Sequence, residues 1–166
     1  MSLFNYVFHG PCGGPGGNAH DPWIIPEDAV LTGFEVFNGD YINKIELSYV
    51  SPSLAPNGAT QTYGGTDTGK SPGRVTLSTS PAEYITEISG KYDSDPDNKG
   101  KVFLLAITTN LQTYKYGNDQ SGWPSFAVPV PPPPDGGLAG LWGDAGSVCD
   151  TVGVVTRFVK ATAPTR

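Results

Sequence analysis

The chain has 166 residues, enough to bury a core without disulfide or metal staples. Its 22 glycines and 16 prolines make up about 23% of the chain, roughly twice the usual share, while charged residues are only 16%. Gly and Pro are the poorest helix formers, so a mostly helical fold is excluded. Collagen is excluded because the glycines have no three-residue period. Disorder is excluded by 3 Trp, 8 Tyr and 7 Phe set among Val/Ile/Leu-rich segments. A net charge of -6 and a pI near 4.7 argue against nucleic acid or an anionic membrane as partner. The longest apolar run, 102–107, is too short to cross a bilayer. The opening residues lack the basic and apolar regions of a signal peptide, which leaves open only a leader already removed. What remains is an all-β chain with many turns, read as a single domain over 1–166.

Strand-like segments follow one another at 5–9, 23–25, 29–37, 41–50, 59–63, 74–78, 83–89, 101–109, 113–116, 125–130, 138–142 and 151–160. Period-two alternation is clearest from Ile42 to Val50. No window joins a 3.6-residue period to a capping box. Between the segments lie turn residues, and three of the turns are glycine-rich: Gly13–Gly17, Gly64–Gly69 and Gly117–Gly122. A second series interleaves with them: Gly39 to Asn43, Gly90 to Ser94 and Gly146 to Asp150, each a glycine with a polar residue four places on. Both series recur roughly every 50 residues, so twelve strands divide into three repeats of four. That predicts three antiparallel sheets around one core. The Pro131–Pro134 run with Asp135, Gly136 and Gly137 reads as a stiff surface spacer rather than a Pro-peptide ligand.

Five blocks, in order, resemble the jacalin-related lectins. They are Gly10–Asp21, Phe37–Tyr49, Glu83–Gly90, Thr108–Asn110 with Tyr116–Gly117, and Gly143–Gly153. The resemblance covers nearly the whole chain. It implies a β-prism I fold: three four-stranded antiparallel Greek-key sheets with threefold pseudo-symmetry. It also implies carbohydrate binding without metal, without a cofactor and without catalysis. The alternative is a structural or protein-interaction β-prism that no longer binds sugar.

The chemistry of such a site is simple. Sugar hydroxyls donate and accept, so an ionised carboxylate can take two donated bonds, and charge-assisted bonds are the strong ones. Glycine lets a backbone N–H approach closely because it has no Cβ. Gly146 and Asp150 supply both. The bland reading of the same residues is a tight β-turn in which Asp150 satisfies its own backbone. By the resemblance, Asp150 takes two adjacent hydroxyls, the N–H groups of Ser147 and Val148 donate to sugar oxygens, and Gly17 closes the site. Gly39, Asp40, Tyr41 and Asn43, facing Gly69, offer at most a weak second site, because an amide accepts on one side only and the facing loop departs from the tight double-glycine pattern. Ser94 has no carboxylate, so no third site is expected. Lys91 and Tyr92 are expected on the rim, with Tyr92 either stacking on sugar or merely a surface aromatic.

Galactose-binding members of the family are cut to free a glycine amine at the site. This chain runs uncut through Gly17, so the resemblance implies mannose- or glucose-containing glycans as ligand. It also suggests self-association, as a dimer or tetramer. Cys12 stands where the family often has an aromatic residue and Cys149 where it often has leucine. Both flank the loops of one site, so a Cys12–Cys149 disulfide is expected, the alternative being two small buried hydrophobes. The disulfide would favour secretion, and its absence the cytoplasm.

Three other motifs are weighed and set aside. Residues 64–71 match the nucleotide-binding Gly-x4-Gly-Lys-Ser pattern, but Pro72 and Gly73 stand where a phosphate-cradling helix must start. Asp93–Gly100 is acidic but lacks the glycine and glutamate of a calcium loop. His9, Cys12 and His20 lack a second ligand pair for zinc.

Overall fold

The computed structural model describes residues 2–93 and 100–162. It contains β1 (Phe4–Gly13), β2 (Asn18–His20), β3 (Val30–Asn38), β4 (Ile42–Ser51), β5 (Ala55–Gly64) and β6 (Val75–Thr76). The second half contains β7 (Ile85–Tyr92), β8 (Val102–Thr109), β9 (Thr113–Gly117), β10 (Ser125–Pro129), β11 (Gly136–Ala145) and β12 (Thr151–Val159). They form three four-stranded sheets, ordered β5-β4-β3-β6, β10-β7-β8-β9 and β1-β12-β11-β2, with every pairing antiparallel. In the first two sheets three hairpin-linked strands are followed by a fourth that returns beside the first, which is a Greek key. The third sheet has the same order if the chain is read from β11 through β12 and on into β1 and β2. One repeat is therefore assembled from both ends of the chain.

The alternation seen in β4 decides its faces. Ile45 and Leu47 are buried while Lys44 and Glu46 are half-exposed. Burying each such aliphatic side chain contributes about 1.5–3 kcal/mol. Phe34, Val36, Ile107, Leu141 and Val154 join them from the inner faces of all three sheets. At one pole the three repeats meet through Cys149, Ile42 and Val102, all fully buried. The Cys149 N–H donates to the Ile42 carbonyl at 2.9 Å, and the Val102 N–H to the Cys149 carbonyl at 3.1 Å.

Two expectations are corrected. The segment 23–25 is not a strand. The pairing at that edge of β11 belongs to β2, and of 23–25 only Ile25 joins it, through Ile25 N–H to the Ala139 carbonyl at 2.9 Å. Pro22 and Pro26 flank the segment, and neither has an N–H to give a ladder. The expected disulfide is also absent, since Cys12 and Cys149 are both free thiols. Cys12 sits on β1 opposite Val152, whereas Cys149 is on the axis, its Sγ 3.5 Å from the Asn43 carbonyl of another repeat. Burial pushes both thiols up. Each is in effect a small hydrophobe.

Candidate functional site

The loops at the Cys149 pole hold the candidate residues. Gly13 ends β1 with φ +144°, and a Cβ there would lie 2.2 Å from the Asp150 carbonyl oxygen. Gly17 has φ +66°, and a Cβ on it would lie 2.5 Å from Asp150 Oδ2 and 2.7 Å from the Ala145 carbonyl carbon. No other residue type fits either place. Opposite, the loop after β11 closes on itself: Gly146 N–H donates to the Val148 carbonyl at 3.1 Å and Asp150 N–H to the Asp144 carbonyl at 3.1 Å. Val148 is buried, Ser147 stands exposed at the crest, and Asp150 is only 4% exposed. The structure thus brings Gly17, Gly146 and Asp150 together, as the sequence suggested.

Residues that the sequence did not single out brace this loop. Tyr63 is buried, and its hydroxyl donates to the Thr151 carbonyl at 2.5 Å and the Asp144 carbonyl at 3.2 Å. Burial holds its phenol far above the ordinary range, so it is a fixed donor. Thr151 Oγ1 accepts from Asp144 N–H at 2.8 Å. The other brace is the second glycine loop. Thr66 N–H donates to the Gly146 carbonyl at 3.0 Å and Asp67 N–H to the Ser147 carbonyl at 2.9 Å. This contact requires Gly65, where a Cβ would lie 2.1 Å from the Ser147 carbonyl oxygen. The only sequence signal was the doubled glycine after Tyr63.

The second repeat copies the first cradle. Gly64 has φ +144° and a Cβ on it would lie 2.5 Å from the Asn43 carbonyl; Gly69 has φ +62°, with its Cβ 2.6 Å from Asn43 Oδ1. Gly39 N–H donates to the Tyr41 carbonyl at 3.0 Å, as Gly146 does to Val148. A cavity of about 500 Å³ opens here, lined by Asp40, Tyr41, Asn43, Gly69, Lys101 and Ser147 among others. Asn43 is 5% exposed, and its Oδ1 has no hydrogen-bond partner among the described residues.

The third repeat departs from the sequence reading. Gly90 is not on a loop but inside β7, where a Cβ would strike Leu104 and Phe126. Ser94 lies outside the described residues. Strand register identifies the true counterpart: Gly13 faces Thr151, Gly64 faces Lys44 and Gly117 faces Leu104. The residue before each partner is Asp150, Asn43 and Phe103. Phe103, not Ser94, therefore occupies the carboxylate position. The two expected rim residues also have other partners. Lys91 Nζ donates to Asp119 Oδ1 at 2.5 Å and the Gln120 carbonyl at 3.2 Å, and Tyr92 packs against the core. Gly100 abuts the first glycine loop, its carbonyl accepting from Gly14 N–H at 2.8 Å.

The weighed motifs resolve locally. Lys70 bridges to Asn38, and the described residues contain no helix after it. His9 and His20 go separately to Thr156 Oγ1 and the Ala145 carbonyl. Most of the acidic stretch 93–100 lies outside the described residues.

A three-sheet prism with glycine-lined loops gathered at one pole is the architecture of a lectin class. A family model of the Jacalin-like lectin domain matches residues 9–155. Horcolin from Hordeum vulgare is 31% identical over 145 residues, covering 87% of this chain and 92% of that protein. The structure of Malaysian banana lectin superposes with a TM-score of 0.69 at 27% identity, covering 92% of this chain and 98% of that one. A mannose binding jacalin related lectin from Ananas comosus shares the fold at TM-score 0.68 and 24% identity, covering 93% and 99%. This chain belongs to the jacalin-like lectin family.

Proposed function

We propose that the chain, 1–166, is one jacalin-type domain that binds mannose- or glucose-type glycans without metal through Gly17, Gly146, Ser147, Val148 and Asp150. The observation that carries this is Asp150: a residue 4% exposed, its carboxylate against Gly17 and its main-chain carbonyl against Gly13, two places that no side chain could take. A carboxylate against a glycine backbone suits a ligand that donates hydroxyls to the acid and accepts from backbone N–H groups of the same loop. The Ananas lectin named above is described as mannose binding, which favours that sugar here. Gly39, Asp40, Tyr41, Asn43 and Gly69 form a second, weaker site, because Asn43 offers a neutral amide where Asp150 offers charge.

Self-association fits the same reading, since several weak sites on one assembly gain avidity. Leu3, Val7, Phe8, Phe158 and Val159 leave apolar surface exposed along the paired ends of β1 and β12. A second copy covering them would give a dimer, read by sedimentation.

A glycan array with the wild type and Asp150→Ala tests the assignment. Wild type is expected to retain mannose- or glucose-bearing glycans, and Asp150→Ala to lose them. An array on which wild type binds nothing would leave a β-prism that serves protein interaction instead.

A further inference from the structure

The third cradle is built like the other two but carries different chemistry. A Cβ on Gly117 (φ +91°) would lie 2.0 Å from the Phe103 carbonyl, matching Gly13 on Asp150 and Gly64 on Asn43. Its loop ends at Gly122 (φ +85°), yet a Cβ there would meet nothing within 4 Å, so this loop is not closed over an acid as at Gly17 and Gly69. Phe103 stands at the register position that Asp150 and Asn43 hold elsewhere, and two further rings lie against it. Phe103 lies 4.6 Å from Tyr41 and 4.2 Å from Trp123, centroid to centroid, with ring planes inclined at 63° and 48°. All three are half-buried rather than core. Trp23 and Trp142 are half-buried as well, but their Nε1 groups are sealed inside without a hydrogen-bond partner among the described residues.

The row continues the second site. Tyr41 belongs both to the row and to the wall of the 500 Å³ cavity at Asn43. Lys101 Nζ sits 4.5 Å from the Tyr41 ring centroid and lines the same cavity. A pyranose has one face of C–H groups, and rigid aromatic rings give such a face large contact at low entropic cost. Hydroxyl recognition at Asn43 and C–H stacking on the adjoining row are what two successive residues of one saccharide chain require.

We propose that Tyr41, Phe103 and Trp123 form an aromatic subsite that takes the apolar face of a neighbouring sugar, so that the second site binds oligosaccharides in preference to single sugars. This rests on the sugar-binding reading above.

The test is calorimetric titration with methyl α-mannoside and with a linear α-mannotriose. Wild type is expected to bind the triose about tenfold more tightly, the gain of one stacked ring. Trp123→Ala, in a surface loop, is expected to lower that ratio severalfold while leaving the monosaccharide affinity unchanged. Phe103→Leu, which roughly keeps volume, breaks the row at its centre and is expected to act likewise. The triose is expected to shift the intrinsic tryptophan emission of wild type but not of Trp123→Phe, which keeps a ring for stacking and with it most of the triose affinity. An undiminished preference in Trp123→Ala, or no preference in wild type, overturns the subsite alone. Failure of wild type to bind either sugar overturns the lectin reading, and the subsite with it.

Discussion

The cradles around Asp150 and Asn43 are the same object built twice. Their glycines sit at φ +66° and +62°, and a Cβ on either would meet the facing side-chain oxygen at 2.5 or 2.6 Å. What differs is a single atom type, a carboxylate oxygen against an amide nitrogen. The comparison separates geometry from chemistry: the fold supplies two glycine cradles of the same backbone geometry, and they differ in the polar residue each holds at the strand start. It also shows that the pockets are not independent, because the second glycine loop holds the first acid loop through Thr66 and Asp67.

The comparison can be broken from either side. The largest effect is expected from Gly17→Val, which collides with Asp150 and Ala145 and demands a left-handed backbone; sugar binding at the first site should vanish in calorimetry. Next is Asp150→Asn, which turns the first cradle into the second. Losing charge assistance on one or two bonds costs about 1.5–3 kcal/mol, so affinity should fall roughly ten- to hundredfold with little change in melting temperature. The reverse change, Asn43→Asp, should strengthen the second site and raise the measured stoichiometry toward two. An unchanged stoichiometry would mean that the second cradle is structural. Gly65→Ala is expected to be milder, weakening the first site severalfold by pushing Ser147 outward. Changed amide chemical shifts at Ser147 and Val148 would mark that displacement.

The smallest effect on binding belongs to the far end of the prism. Glu83 is 9% exposed; burial there raises its pKa, but bonds from Ser78 N–H, Thr109 Oγ1 and Tyr114 hydroxyl outweigh this and hold it below its ordinary range. A depressed carboxyl pKa stabilises the fold above the unfolded value, near 4.3, and the gain is lost as pH falls through the folded value. Glu83→Gln should therefore lower stability at neutral pH and flatten its acid dependence, leaving sugar affinity unchanged.

Much of the candidate site's backbone geometry was legible in the chain because its rules are local. Gly13, Gly17, Gly64 and Gly69 announce left-handed or close-packed turns, and Asp150 announces charge beside one of them. The threefold repeat followed from the spacing of those same turns. The third repeat misled for a physical reason. Gly90 and Ser94 mimic the spacing of Gly146 and Asp150, but the chain between β7 and β8 is longer, and only the ladder opposite Gly117 shows that Phe103 holds the position. The Cys12–Cys149 pairing failed similarly, since proximity of two loops says nothing about which way a side chain on the axis points.

The sequence by itself determined the strand class, the number of repeats and the two turns that flank Asp150. These rest on period-two burial and on backbone angles that only glycine adopts, both properties of a few adjacent residues. Tertiary structure alone decided that both ends of the chain complete one sheet, that Gly65 and Tyr63 brace the first site, and that an aromatic row replaces the third acid. Those depend on register between strands distant in sequence, where a one-residue shift would turn every side chain to the other face.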